Sequence, residues 1–448
     1  MKKIAIIGTG YVGLVSGAGL AEFGHEVTCI DIDEEKIHKL NKGMIPIYEP
    51  GLKSLVSKNA KDKRLYFSSN IEGVIRDSKI IFIAVGTPQD SDGRADLSSV
   101  NSAVNTIISN LNSYKIICTK STVPVGTGKW ISSKISEKHT TDKFDYVSNP
   151  EFLREGSAVN DFLFPDRVVV GASSSKAFKE MREVYRPLFI NKTPVMEFSV
   201  SSSEMIKYAS NSFLALKISY INEIANLCET VDADVHDVAL GMGKDGRISS
   251  KFLHPGPGFG GSCFPKDIEA IKALGESNGI ALNTVSATIE TNKAQKERIL
   301  KKIFKLMDNN VKGKRVAILG LSFKPNTDDI RESPSQFIVS NLIKESAWIN
   351  AYDPVAINNF KELYPDINYF ENWKDCVSDA DACIVMTEWN EFRGIDLVEL
   401  KSLLKSPSLL DAKNIFSIKK LKSLEFNFDN VGRNFIWGLK KLSLMVYF

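Results

Sequence analysis

Near the middle of the chain, Gly260-Gly261-Ser262-Cys263-Phe264-Pro265-Lys266-Asp267 puts a thiol, an ammonium and a carboxylate close together. Pro265 suits the first position of a helix, where its missing amide has no partner to lose. Cys263 then stands just before a helix N-terminus, facing a dipole worth about half a positive charge. Such a setting draws a thiol from its ordinary pKa of about 8.5 towards neutrality and makes it a nucleophile. The glycines before it leave the backbone open to a ligand, and Asp267 in the first turn is placed to act on a water. Most cysteines are small buried hydrophobes; that reading suits Cys29, Cys118, Cys228, Cys376 and Cys383, but not Cys263.

A second candidate is the pair Lys207 and Asn211, four residues apart and so on one face of a helix. On a solvated face they are ordinary surface; turned inward, they become oxyanion stabilisers. Spacing alone leaves both readings open.

A third feature binds rather than reacts. Gly8-Thr9-Gly10-Tyr11-Val12-Gly13 follows an apolar run and opens a helical one. Gly8, Gly10 and Gly13 allow a tight turn, close approach to a pyrophosphate and close helix packing, with the phosphates at a helix N-terminus. The next apolar run ends at Asp31, near the spacing expected for an acid that accepts from a ribose 2′-hydroxyl. Such an acid repels a 2′-phosphate and favours NAD over NADP, although Lys36 lies close by. A later run ends in Val85-Gly86-Thr87-Pro88, which puts Thr87 at the carboxyl edge where ligands bind in such sheets.

Positioning these groups takes strands and helices in alternation. Lys3–Ile7, Glu26–Ile30, Lys79–Val85, Lys115–Thr119 and Arg167–Val170 read as strands separated by helical text, which predicts a parallel sheet covered on both faces. From Ser203 to about Thr230 there is no Gly or Pro, and Ile206, Phe213, Leu216, Ile221, Ile224 and Leu227 recur at helical spacing. That predicts one helix of roughly 40 Å, suited to joining two domains and to forming a dimer surface. Strands return at Lys314–Gly320, Trp348–Tyr352 and Ala382–Met386. The fold class expected is α/β: two Rossmann-like, doubly wound parallel-sheet domains joined by a long central helix and a helical middle domain. The divisions are 1–200 for NAD, 201–305 for the helical middle and the cysteine loop, and 306–448 for a second Rossmann-like domain.

Composition narrows the partners. Basic and acidic residues nearly cancel, 57 against 54, and no basic tract stands out, so a nucleic-acid partner is not expected. No apolar stretch approaches the roughly 18 residues of a membrane span. Six scattered cysteines without a Cys-x-x-Cys pair, and five histidines, argue against a zinc site or a disulfide framework and for a reducing cytoplasm. No metal is expected.

Taken together the chain resembles the family of UDP-glucose 6-dehydrogenases and related nucleotide-sugar dehydrogenases. The resemblance rests on Gly8–Gly13, Ile47–Gly51, Val85–Pro88, Ser121–Thr127, Asn149–Gly156, Lys207–Asn211, Gly256–Asp267 and Phe323–Ser333, in family order over most of the chain. It implies a four-electron oxidation with two NAD per sugar, in which Cys263 captures an aldehyde and a thioester is then hydrolysed. It also implies that Lys207 and Asn211 stabilise oxyanions, that Asp267 and Thr122 position or activate water, and that Glu151 serves acid–base work. By the same resemblance NAD meets the Gly8–Gly13 turn with Tyr11 and Val12, and Asp31, Lys36, Thr87, Thr122, Glu155 and Arg331. A UDP-sugar meets Phe152, Leu153, Arg154, Glu155, Lys207, Asn211, His254, Gly256, Phe259, Gly260, Phe323, Lys324 and Lys413. Arg247 reaches the substrate from the other subunit of a homodimer or higher homo-oligomer.

Two departures accompany the resemblance. Lys413 stands where the family usually has arginine, which keeps the charge and loses the bidentate fork, so substrate affinity rather than chemistry is affected. The tail Phe435–Phe448 is unusually apolar and is expected to pack on the C-terminal domain, with membrane-surface contact as the alternative. UDP-glucose is the expected sugar, with UDP-N-acetylhexosamine and GDP-mannose as alternatives. A two-electron hydroxyacid dehydrogenase would need no cysteine, and a silent nucleotide-binding regulator would not need Glu151, Lys207, Cys263 and Asp267 together.

Overall fold

The computed structural model describes residues 1–90 and 92–433; the apolar tail from Phe435 therefore lies outside the described residues. The chain divides into two compact units. The first comprises Met1–Ser210 with Glu269–Asn278; the second comprises Asn211–Ile268 and the described residues from Gly279 onward.

The first unit is built on strands β1 (Lys3–Ile7), β2 (Glu26–Ile30), β3 (Leu65–Ser68), β4 (Ile80–Ile83), β5 (Lys115–Thr119), β6 (Phe144–Ser148), β7 (Val168–Ala172) and β8 (Val195–Phe198). They lie in the order β3-β2-β1-β4-β5-β6-β7-β8. Pairing is parallel throughout except between β6 and β7. Alternate residues feed two cores. Ile4, Ile6, Cys29, Phe82 and Cys118 pack on one face, and Ala5, Ile7, Ile81, Ile83 and Ile117 on the other. Burial on both faces is why these strands read as unbroken apolar runs.

The second unit repeats the scheme with β9 (Arg315–Leu319), β10 (Trp348–Tyr352), β11 (Asn368–Tyr369), β12 (Ala382–Val385), β13 (Ser408–Asp411) and β14 (Asn427–Asn430), all parallel, in the order β11-β10-β9-β12-β13-β14. The likeness extends to hydrogen bonds. Gly8 N donates to Ile30 O and Gly320 N to Tyr352 O, each at 2.8 Å. After β2, Asp31 accepts from Thr9; after β10, Asp353 accepts from Leu321 N, Ser322 N, Ser322 Oγ and the Trp389 indole through one oxygen. Its other oxygen accepts from Val355 N and Ala356 N, and the residue is buried.

Several expected strands end a residue or two away from their observed limits, and two helix starts differ from the sequence expectation. The long helix is Val200–Val231, 32 residues or about 48 Å. It starts earlier because the serines there belong to a helix N-terminus, where Ser199 Oγ accepts from Ser202 N. The helix after the cysteine is Phe264–Ser277, so Pro265 takes its second position rather than its first, still within the turn whose amides lack partners. Among the described residues no helix is long and apolar enough to cross a membrane.

Candidate active site

In the first unit, β1 delivers the chain to Gly8, whose φ of +102° is open to glycine and strained for other residues. A Cβ on Gly13 would sit 1.9 Å from the Gly8 carbonyl oxygen, so the helix Tyr11–Glu22 seats on this turn only with glycine there. A Cβ on Gly10 would meet nothing within 4 Å, which leaves the helix N-terminus, with the Tyr11 and Val12 amides, facing open space. Asp31 accepts from Thr9 N at 2.9 Å and Thr9 Oγ1 at 2.6 Å, and Lys36 Nζ lies 3.2 Å away. Burial works to raise its pKa, but the bonds from Thr9 and Asp33 and the Lys36 charge outweigh this and hold it below the usual carboxylate range. An ionised acceptor beside an open helix N-terminus fits a dinucleotide's ribose and pyrophosphate. Thr87 donates to the Thr122 carbonyl at 2.9 Å, which brings two expected cofactor residues together at the same sheet edge.

The segment after β6 carries the acid–base candidate. Lys207 Nζ lies 2.8 Å from Glu151 Oε1, with both side chains buried, and Leu153 N donates to the other Glu151 oxygen at 2.6 Å. Two cations lie near the Phe152 ring, the Arg167 guanidinium 3.7 Å and Lys207 Nζ 5.4 Å from its centre. Arg154 holds Asp161 with two nitrogens at 2.9 and 2.5 Å. Glu155 is half-buried. Two carboxylates outside the expected set hold this region. Glu49 accepts from the Tyr11 hydroxyl, Gly156 N and Ala158 N. Glu204 accepts from Gly126 N and Gly128 N at 2.8 and 2.7 Å, tying the Ser121–Thr127 loop to the long helix.

In the second unit, Cys263 is half-exposed, whereas the other five cysteines are buried. Its carbonyl accepts from Asp267 N at 2.9 Å, the first bond of the Phe264–Ser277 helix, so Cys263 sits at the cap as expected. Ser262 Oγ lies 3.6 Å from its sulfur. Asp267 is buried and receives Asn211 Nδ2 and Lys266 Nζ, each at 2.6 Å. Lys207 and Asn211 are both buried, so the surface reading of that helix face is excluded.

The loop before Cys263 is held by three buried amides that sequence reasoning did not single out. Asn222 and Gln295 take the Gly256 amide and carbonyl, each at 2.8 Å, and Asn292 bonds both backbone groups of Phe259. Amides are common on helices, so only the fold distinguishes these. A Cβ on Gly260 would lie 2.3 Å from the Glu332 carbonyl oxygen, and one on Gly261 2.7 Å from the Phe323 ring, which explains two small residues in succession. Lys324 Nζ stands 5.2 Å from the Phe323 ring centre. Lys413 pairs with Glu388 at 2.9 Å, and its side chain borders Gly256. Arg331 pairs with Asp329, Arg247 with Asp245, and His254 is exposed.

Residues 2–189 match the NAD binding domain of the UDP-glucose/GDP-mannose dehydrogenase family, 201–294 its central domain and 317–418 its UDP binding domain. The UDP-glucose 6-dehydrogenase TuaD of Bacillus subtilis is 48% identical over 98% of this chain and 95% of its own length. The chain belongs to the UDP-glucose/GDP-mannose dehydrogenase family. A UDP-glucose 6-dehydrogenase of Rhizobium meliloti is 46% identical over 96% of this chain and 99% of its own. Among solved structures, a UDP-glucose dehydrogenase from the archaeon Pyrobaculum islandicum superposes with a TM-score of 0.88 at 33% identity, covering 94% of this chain and 96% of that one. The Gly8–Gly13 turn, Asp31, Thr87, Thr122 and Glu151 fall in the family's NAD binding domain. Lys207, Asn211, Cys263 and Asp267 fall in its central domain.

Proposed function

We propose that this chain oxidises UDP-glucose to UDP-glucuronate with two NAD per sugar, as a member of the oxidoreductases to which its relatives belong. The observation that carries the reading is Cys263: a half-exposed thiol at a helix start, with buried Asp267 one turn inside that helix and bonded to the buried Asn211.

NAD supplies the acceptor for two hydrides from the sugar C6. The Cys263 thiolate adds to the C6 aldehyde, and Lys207 and Asn211 stabilise the oxyanion that the new C–S bond creates. Once that carbon reaches the thioester level, a water positioned by Asp267 and Thr122 attacks it, the C–S bond breaks and the thiolate is regenerated. Glu151 exchanges protons around these steps. Holding the aldehyde as a thiohemiacetal prevents its escape. Within this reading, 1–200 serves NAD, 201–305 the chemistry and 306–448 the UDP moiety, with Phe323, Lys324 and Lys413 contacting the substrate. Asp31, Lys36, Glu155 and Arg331 serve NAD.

The protein acts as a homodimer. Phe213, Tyr220, Leu227 and Val231 are exposed on the long helix at 61%, 46%, 55% and 60%, and the first three recur every seven residues. An apolar stripe of this kind on a helix calls for a partner, and Arg247 then serves the substrate of the other subunit. Six cysteines with no disulfide among them fit a reducing cytoplasm.

The test is stoichiometric: incubate the protein with limiting UDP-glucose and excess NAD, and count NADH. Two per sugar is expected. One per sugar overturns the thioester route, and none overturns the choice of sugar.

A further inference from the structure

Lys120 follows β5 at its carboxyl end and is buried. Its Nζ donates to Asn149 Oδ1 at 3.1 Å and to the Tyr185 hydroxyl at 3.3 Å, and lies 5.8 Å from the centres of the Phe162 and Tyr185 rings. Tyr185 donates to the same Asn149 oxygen at 2.6 Å, while Asn149 Nδ2 donates to the Val169 carbonyl at 2.7 Å. The Asn149 amide donates to Thr119 O at 2.9 Å. One ammonium therefore gathers the carboxyl ends of β5 and β6 and the neighbouring β7, two residues before Glu151.

A buried lysine usually sits against a carboxylate. The partners of this one are an amide, a phenol and two aromatic faces. The ionisable groups within electrostatic reach are the buried Cys118 thiol on β5, Glu151 beyond β6, and Lys207 on the long helix, with the Tyr185 hydroxyl in contact. Two buried cations thus attend one buried carboxylate, and only Lys207 bonds it directly.

We propose that Lys120 is a positioning residue for the reaction: through Asn149 it sets the place of Glu151, and its charge acts on that carboxylate alongside the charge of Lys207. The inference rests on the role given to Glu151 under Proposed function. Burial pushes the Lys120 ammonium down to about 8, with Lys207 acting in the same direction and Cys118 and Glu151 against it. Above that pH, Glu151 answers to Lys207 alone, and the rate should change with it.

Lys120→Met is expected to lower kcat roughly tenfold or more while the KM values for UDP-glucose and NAD stay within about two-fold. Lys120→Arg, which keeps its charge throughout, is expected to hold most of the neutral-pH rate and lose the limb of the kcat profile near pH 8. A folded Lys120→Met protein with wild-type kcat overturns the proposal, as does a Lys120→Arg protein that keeps the limb. Wild-type NADH stoichiometry tests the underlying reading separately. Should neither variant fold, or the wild type not oxidise UDP-glucose, spectra of 13Cε-lysine-labelled protein decide. A lysine titrating near pH 8 that Glu151→Gln moves lower by half a unit or more supports the proposal, and the absence of such a lysine overturns it.

Discussion

The Lys207 ammonium lies 2.8 Å from the Glu151 carboxylate, and neither side chain is more than 5% exposed. A buried pair of this kind adds little net stability, but losing one member strands a charge in the interior. Glu151→Leu is therefore expected to destabilise the fold by about 3–5 kcal/mol in urea unfolding. Adding Lys207→Met should recover much of that loss. A single variant costing under about 1 kcal/mol would mean that the charge finds water or another partner.

Asn211 donates to Asp267 at 2.6 Å, and Lys266 donates to the other oxygen at the same distance. Asn211→Ala removes an oxyanion donor and frees one side of Asp267. We expect kcat to fall about a hundredfold with NAD affinity little changed. Because both residues serve one bond, Asn211→Ala and Asp267→Asn should cost much less together than the sum of their separate effects. Additive losses would show that they act independently.

Only one of the six cysteines is open to reagent in the native fold. Mass spectrometry after brief native iodoacetamide treatment should find a single carbamidomethyl group per chain, on Cys263. Cys263→Ser should yield no uronate yet bind NAD within about two-fold of wild type. Normal uronate production by that variant would remove the covalent route.

Lys120 also makes a thermodynamic prediction. Its folded-state pKa, about 8, lies below the 10.5 of an unperturbed lysine. Between those values the unfolded chain binds the extra proton, so stability rises with pH across this window, and the cost of burying the charge is felt in full below pH 8. Relative to Lys120→Met, the wild type should gain up to about 3 kcal/mol in unfolding free energy from pH 8 to pH 10.5. A flat difference would place the lysine's pKa near its ordinary value.

The strands that were legible are those whose two faces are both apolar. Lys3–Ile7, Glu26–Ile30, Lys115–Thr119 and Trp348–Tyr352 coincide with β1, β2, β5 and β10. β14 reads Asn-Phe-Asp-Asn, a polar text that carries no strand signal, and its Asp429 is neutralised only by a distant partner, Lys302. β3 and β11 escaped as short edge strands. In the site, Cys263 and Asp267 were readable because one helix start positions both. The Lys207–Glu151 bond joins residues 56 positions apart, and local spacing carries no trace of such a contact. The amide clamps of Asn222, Asn292 and Gln295 were invisible for the same reason.

The paired architectures differ in how open the acid after the second strand is. The Asp31 side chain keeps 15% exposure, whereas every direction around Asp353 is taken by the protein's own donors. A carboxylate has about four lone-pair sites; Asp31 already takes four donors at its partly open position, whereas Asp353 takes six and is buried. Two look-alike cradles on one chain would otherwise compete for the same cofactor. With its acid buried and saturated, the copied frame presents no acceptor to a ribose, so under the proposed function NAD is expected at the first cradle and a different nucleotide at the second.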